Sequence, residues 1–161
     1  MIIGIDPGAK GAMAIIHENE DLEIVKFSKY LDPDGINMND KFVGDLSNAV
    51  VYMEKVHAMP WDTPVTAFSF GRNVGYLEAI IKMNNGIINY VQPKTWQKEL
   101  YLEKVQIDKR ITNAKTEKAA RKKSYVKYAQ RMFPKYKNLI TLETADAVLI
   151  AQYGYNRTYE V

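Results

Sequence analysis

Short apolar runs separated by turn residues shape the first third of the chain and recur later. Residues 2–6 (IIGID), 11–16 and 22–28 each have the length and composition of a strand, and the turns between them are short. They predict a three-stranded antiparallel meander. Two further runs, residues 50–57 (VVYMEKVH) and 87–92 (IINYVQ), predict two more strands. The first run is almost wholly apolar, which is typical of a strand at the centre of a sheet.

Helical periodicity predicts the remaining elements. The predicted helices cover about 40–49, 72–83, a short polar segment from Thr95, 116–133, and a last segment from near Thr141. Residues 58–71 (AMPWDTPVTAFSFG) contain two prolines and no clean period, and this favours a loop. The element order predicts an α/β fold with a central five-stranded mixed sheet and helices on both faces.

Length and composition narrow the class of protein. The 161 residues predict one domain, 1–161, and the 47% apolar content is that of a globular protein. Apolar runs are too short for a membrane span, and the N-terminus lacks the features of a signal peptide. There are no cysteines, which excludes disulfides and cysteine-based metal or redox sites. We therefore expect a cytoplasmic protein with no membrane partner.

The net charge of +3 conceals a strong asymmetry along the sequence. Residues 104–137 hold 12 Lys and Arg against two acids, whereas the remainder holds 10 basic and 17 acidic residues. Such a basic block commonly faces nucleic acid, although a solvated helix face is the plainer interpretation.

Four acids occupy positions where the pattern does not require an acid. Asp6 and Glu54 lie in predicted strands, and Glu143 and Asp146 lie in the first turn of the predicted last helix. Residues three apart share a helix face, so Glu143 and Asp146 point the same way. If the first and fourth strands are neighbours, the last helix can complete a cluster of four carboxylates.

A bare cluster of this kind is unfavourable, because neighbouring negative charges force protonation. Divalent cations with a preference for oxygen ligands remove the repulsion, and Mg²⁺ or Mn²⁺ suits carboxylates best. Two such ions can bind a phosphodiester, generate a nucleophile and stabilise the leaving oxygen. The cluster thus predicts a metal-dependent reaction on a phosphodiester.

Each acid also has a purely structural interpretation. The helix dipole favours Glu143 and Asp146 in a first turn, Glu54 can alternate outward from its strand, and Asp6 can serve the Pro-Gly turn. The two histidines, His17 and His57, are isolated and favour surface or packing roles. The coincidence of four such acids with a basic block favours the metal site.

Six segments in order resemble the RuvC-type Holliday-junction resolvases of the ribonuclease-H-like superfamily, and most closely their phage and poxvirus branch. The resemblance covers nearly the whole chain. The segments are IIGIDPGAKGAMAI, VYMEKVHAMP, FSFGRNVGYLEAII, YVQPKTWQK, KKSYVKYAQRMFP and ETADAVLIAQYG. In this resemblance Asp6 matches the first catalytic aspartate and Glu54 the catalytic glutamate, while Glu143 and Asp146 match the final acidic pair.

The resemblance implies a ribonuclease-H-like fold and an endonuclease that cleaves Holliday junctions and other branched DNA during recombination, repair or phage DNA processing. It implies that these four acids bind two Mg²⁺ or Mn²⁺ ions, and that helix 72–83 forms a homodimer. Basic residues of the 94–123 region would neutralise DNA phosphates: Lys94, Lys98, Lys115, Lys118, Arg121, Lys122 and Lys123.

Two departures from the family pattern affect specificity. Glu143 stands where the family more often has aspartate, and the longer side chain displaces the carboxylate oxygens. His57 stands where bacterial members often carry an aromatic residue that wedges into the junction. The wedge would then come from Trp61, Phe68 or Phe70, or be absent, and the selectivity for four-way junctions would be broader.

Other functions remain open at the level of sequence. An actin-like or sugar-kinase ATPase begins with a similar strand and turn, but it needs a second domain for which this chain has no room. A binding module without cleavage explains the basic block but not the four acids. A ribonuclease-H-like nuclease that acts on RNA would use the same acids.

Overall fold

A computed structural model describes residues 1–33, 35–37, 45–100, 102 and 116–159 of the chain. Within these residues, five strands form a mixed sheet in the order β3-β2-β1-β6-β7. The strands of this sheet are β1 (Ile2–Asp6), β2 (Ala12–Ile16), β3 (Leu22–Lys26), β6 (Val50–Glu54) and β7 (Ile87–Val91). The predicted five-stranded sheet is confirmed, and each predicted strand lies within a few residues of its observed bounds.

The sheet combines two kinds of pairing. β1 to β3 form an antiparallel meander, whereas β6 pairs with β1 and β7 pairs with β6 in parallel. Short turns join the antiparallel strands, and a parallel crossover needs a longer connection that usually contains a helix. The prediction that the first and fourth long strands are neighbours is therefore confirmed. The strand order places β1 at the centre of the sheet.

Helices cover both faces of the sheet, as the element order predicts. They are α1 (Pro64–Met83), α2 (Pro93–Glu99), α3 (Glu117–Met132) and α4 (Ala145–Tyr159). One buried cluster joins Ile2 of β1 to α4 and to Trp96 of α2. The other joins Ile3 and Ile5 of β1 to Leu77 of α1. The alternation of side chains along β1 thus supplies both cores.

The prediction of a loop across residues 58–71 is wrong for its second half. Helix α1 begins at Pro64, where proline is favoured because its missing N–H would be unpaired anyway. The Thr63 side chain caps the helix and accepts a hydrogen bond from the Thr66 N–H at 3.2 Å. Val65 and Phe68 in this first part of α1 are exposed. The apolar residues here therefore do not mark a buried helix face, and the usual helical period is missing from the sequence.

Three smaller features differ from the predictions. Residues 31–32 and 35–36 pair as β4 (Leu31–Asp32) and β5 (Gly35–Ile36), which the sequence pattern does not indicate. Of the predicted helix at 40–49, residues 40–44 lie outside the described residues and 45–49 form a turn. Helix α4 begins at Ala145 rather than near Thr141, so Glu143 precedes the helix.

No helix in the described part of the chain has both the length and the apolar character needed to cross a membrane.

Candidate active site

Asp6 and Glu54 lie side by side at one edge of the sheet. Each is the last residue of its strand, and the parallel register pairs Ile5 with Met53 immediately before them. The carboxyl ends of adjacent parallel strands meet at the same sheet edge. The Asp6 carboxylate also accepts a 3.4 Å hydrogen bond from the Gly8 N–H in the following turn. The predicted adjacency of the two strand acids is therefore confirmed.

Asp146 reaches the same edge from helix α4. It lies in the first turn of the helix and is only 8% exposed. The helix sits directly on β1 because Gly4 has no side chain: a Cβ there would lie 2.2 Å from the Ala151 nitrogen and 2.4 Å from the Ala147 oxygen. This close approach of helix α4 to strand β1 fixes the position of Asp146 relative to the end of β1.

We expect Gly4→Ala to lower the free energy of unfolding by about 1–3 kcal/mol, because the added methyl group meets backbone atoms that cannot rotate away. Urea unfolding followed by circular dichroism measures this change. Gly75→Ala is the matched control and should be as stable as the wild type or more stable, since a Cβ at this exposed helical position meets no described atom within 4 Å outside its own helix backbone. An unchanged unfolding midpoint in Gly4→Ala would contradict the close packing of α4 on β1.

The electrostatics of this edge show that the three carboxylates interact. Burial raises the pKa of Asp6, and the charge of Asp146 raises it further. Burial raises the pKa of Glu54 to about 7, with added repulsion from Asp6 and Asp146. Carboxylates that repel one another in a partly buried site are costly unless a cation compensates them.

The Glu54 pKa leads to a pH prediction for the metal-free protein. A carboxyl group whose pKa rises from 4.5 to about 7 on folding binds a proton more tightly in the folded state. Its contribution to stability is therefore complete below about pH 4.5 and is lost as the pH rises to about 7. In urea unfolding at pH 5 and pH 7.5, the wild type should lose more stability than Glu54→Gln, which cannot ionise. Equal losses would contradict the raised pKa.

Lys122 of helix α3 supplies positive charge to the cluster. Its ammonium forms an ion pair with Asp146 Oδ2. Burial lowers the pKa of Lys122, but the nearby charges of Asp146, Asp6 and Glu54 outweigh burial and raise it overall. Among the residues that the structure describes, the other oxygen of this carboxylate, Asp146 Oδ1, is buried and has no hydrogen-bond partner.

Trp96 of helix α2 holds the Glu54 carboxylate through a hydrogen bond. Its indole N–H donates a 3.1 Å hydrogen bond to Glu54 Oε1, and the indole is fully buried. The ring of Tyr125 on α3 packs edge-on against it, with 6.2 Å between ring centroids. The residue pattern alone does not identify this role. The feature of the sequence that points to this role of Trp96 is the presence of a tryptophan inside a short polar helix.

Glu143 has other partners than the three acids. It lies in the turn before α4, accepts a 3.3 Å hydrogen bond from the Ser28 hydroxyl, and lies 3.7 Å from the Lys26 ammonium. The predicted pairing of Glu143 and Asp146 on one helix face is therefore wrong, because the helix begins two residues after Glu143. The proposed role of Glu143 as a metal ligand stays a prediction.

A divalent cation fits the chemistry of this site. In the described ranges, no three His, Cys, Asp or Glu side chains are grouped closely enough to hold an ion as they stand. Asp6, Glu54 and Asp146 nevertheless offer carboxylate oxygens, which Mg²⁺ and Mn²⁺ prefer, and Asp146 Oδ1 is a buried acceptor without a donor.

Six of the seven basic residues predicted to bind DNA lie on the two helices beside the site. Lys94 and Lys98 are exposed on α2, and Lys118 is exposed on α3. Arg121 forms an ion pair with Glu117 one turn earlier. Lys122 and Lys123 are partly buried, whereas Lys115 lies outside the described residues. Their role in DNA binding stays a prediction.

Comparisons with known proteins give no match by sequence: no protein-family model and no curated protein matches the chain. Solved structures of RuvC from Thermus thermophilus are similar to it. RuvC in complex with a Holliday junction substrate is 13% identical with a TM-score of 0.54, and the alignment covers 98% of this chain and 96% of RuvC. A second RuvC structure is 14% identical with a TM-score of 0.55, covering 99% and 96%. The chain therefore has the ribonuclease-H-like fold of RuvC.

Proposed function

We propose that this protein is a metal-dependent endonuclease that hydrolyses phosphodiester bonds in Holliday junctions and other branched DNA. One observation carries the proposal: β1, β6 and α4 bring Asp6, Glu54 and Asp146 together at one sheet edge of a RuvC-like fold. The RuvC structure in complex with a Holliday junction substrate supports this class of substrate. Junction processing during recombination or phage DNA processing would take place in the cytoplasm.

In the proposed reaction, the carboxylates would hold two divalent cations, which would supply positive charge to the scissile phosphate and would lower the pKa of the attacking water. Asp6, Glu54 and Asp146 would hold them, with Glu143 as a fourth ligand from the preceding turn. Trp96 orients the Glu54 carboxylate through its indole N–H. The partial burial of Asp6 and Asp146 limits competition from bulk water for the same oxygens.

Exposed lysines on α2 and α3 would position the DNA backbone over the site. Lys94, Lys98 and Lys118 flank the acidic cluster through the helices that carry Trp96 and Lys122. Contacts of this kind fix the register of the nucleic acid and carry no sequence information. Junction binding should therefore weaken steeply as salt increases.

A homodimer through residues 72–83 would place two active sites on the two symmetric strands of a junction. Helix α1 supports this proposal, because its exposed side presents Gly71, Gly75 and Ala79 at intervals of four residues. Exposed Phe68 and Met83 lie on the same side of the helix. Small residues at this spacing let two helices approach closely, and the apolar residues would be buried by a second copy.

Trp61 is the residue we propose as the junction wedge. It precedes α1 and is 75% exposed, whereas Phe70 is half-buried and Phe68 would lie in the dimer contact. Aromatic side chains stack on unpaired bases with about 1–3 kcal/mol per base. We expect Trp61→Ala to weaken junction binding by about 10-fold and to leave binding of linear duplex unchanged. Fluorescence anisotropy with both substrates measures this, and equal losses on both would contradict the wedge.

The test of the proposed function is a comparison of substrate classes. Four-way DNA junctions, flaps, linear duplex and an RNA–DNA hybrid are incubated with the protein and Mg²⁺, and the cleaved fraction is measured. We expect cleavage of the branched DNA only. Cleavage of the hybrid alone would instead support a ribonuclease, and binding without cleavage of any substrate would support a binding module.

A further inference from the structure

Lys122 of helix α3 contacts the acidic cluster. Its ammonium pairs with Asp146, and the charges of Asp6 and Glu54 also act on it. Lys127, on the same helix, is exposed. A lysine that serves only to neutralise phosphates needs no contact with the carboxylates. Lys122 therefore belongs to the acidic cluster.

The charges of this cluster are not balanced by Lys122 alone. Among the described residues, three carboxylates face the one ammonium of Lys122, and Asp146 Oδ1 is buried without a hydrogen-bond donor there. The Asp146 side chain is 11% exposed, whereas that of Lys122 is 41% exposed. Lys122 thus approaches the carboxylates from the open side of the site, and its long flexible stem lets it withdraw into solvent.

We propose that Lys122 is an internal counter-ion that pairs with Asp146 when no metal is bound and leaves the carboxylate when a divalent cation binds. This inference rests on the proposed function, because it assumes that the same carboxylates hold the cation. A cation and an ammonium that share one carboxylate repel each other at short range. Their binding to Asp146 is therefore competitive, and the metal must displace the lysine.

The exchange has a physical advantage for the metal-free protein. In the described part of the structure, Lys122 is the cation that offsets the mutual repulsion of the three carboxylates, and its removal would leave that repulsion uncompensated there. The ammonium stays paired with Asp146 and offsets part of this repulsion. The cost is a weaker apparent affinity for the metal, since binding includes the breaking of the ion pair.

The first test measures Mn²⁺ binding by isothermal titration calorimetry, without DNA, in the wild type, Lys122→Met and Lys127→Met. Methionine keeps the length and apolar stem of lysine but removes the charge. We expect Lys122→Met to bind Mn²⁺ about 10-fold more tightly or better, because a positive charge beside the site is removed. Lys127→Met, which changes an exposed lysine of the same helix, should bind like the wild type.

The second test needs no variant and so does not depend on how Lys122→Met folds. Wild-type protein is exposed to a brief pulse of an acetylating reagent with and without saturating Mn²⁺, and each lysine is quantified by mass spectrometry. We expect Lys122 to react several-fold faster with Mn²⁺, whereas Lys127 keeps its rate.

The outcomes separate this inference from the proposed function. Mn²⁺ binding that Lys122→Met leaves unchanged or weakens, or Lys122 acetylation that Mn²⁺ does not accelerate, would overturn the counter-ion while the nuclease assignment stands. Mn²⁺ binding to none of the three proteins would overturn the metal site itself, and the counter-ion with it. Mn²⁺ binding by Lys122→Met but by neither of the other two proteins would support the exchange most strongly, because it would mean that Lys122 excludes the ion.

Discussion

Asp6→Asn is expected to lower the rate of junction cleavage by about 10³-fold or more while the affinity for the junction stays within a few-fold of wild type. The amide keeps the size of the side chain but removes the negative charge that the metal requires. A loss of this size corresponds to about 4 kcal/mol of transition-state stabilisation, which is typical when metal assistance is lost. Single-turnover cleavage of a labelled four-way junction and anisotropy with the same DNA measure the two quantities.

Glu54→Gln should behave like Asp6→Asn, because both side chains lie at the same edge of the sheet. Glu23→Gln is the matched control, since Glu23 is an exposed strand residue that faces His17 rather than the cluster. Removal of repulsion should also make both active-site variants more stable than wild type at pH 7.5 without metal. Cleavage at the wild-type rate in either variant would contradict the carboxylate site.

Gly75→Lys is expected to dissociate the proposed dimer and to uncouple the two incisions in a junction. Among the described residues, a Cβ at Gly75 meets no atom within 4 Å outside its own helix backbone, so we expect the substitution to leave the fold of the protomer intact. At a close helix–helix contact the same side chain would clash and introduce a charge. Sedimentation velocity should show a monomer. A cruciform plasmid should accumulate as nicked circles, whereas the wild type linearises it.

Ser69→Lys serves as the control. It adds the same charge at an exposed position of α1 beside the proposed contact, which consists of Phe68, Gly71, Gly75, Ala79 and Met83. Gly75→Lys should also retain the far-UV circular dichroism spectrum of the wild type, which separates loss of the dimer from loss of folding. A Gly75→Lys protein that sediments like the wild type and still linearises the plasmid would contradict a dimer through α1.

The sheet could be predicted from sequence because its strands are local and strongly patterned. Ile2, Ile3 and Ile5 form a nearly unbroken apolar run, and β1 is indeed covered on both faces. The start of α1 could not be predicted in the same way. Val65 and Phe68 face outward, so hydrophobic periodicity there does not report burial in this chain. The signal lay instead in Thr63 and Pro64, a cap followed by a first-turn proline.

The acids of the candidate site could be predicted, but not their partners. Asp6 and Glu54 are conspicuous because strands rarely end a buried run on a carboxylate. The pairing of Lys122 with Asp146 and of Trp96 with Glu54 depends on how α2 and α3 pack over the sheet edge. Sequence distances of 24 and 42 residues carry no information about such contacts. Glu143 was misplaced because a turn at residues 142–144 precedes the helix, which begins at Ala145.

The measurement that tests the central claim most directly is cleavage of an end-labelled four-way DNA junction beside a linear duplex of the same sequence, each with Mg²⁺, Mn²⁺ or EDTA. We predict paired nicks in opposing strands of the junction with either metal, no nicks with EDTA, and an intact duplex. Nicks that persist in EDTA, or a junction that is bound but never cut with either metal, would contradict a metal-dependent junction endonuclease.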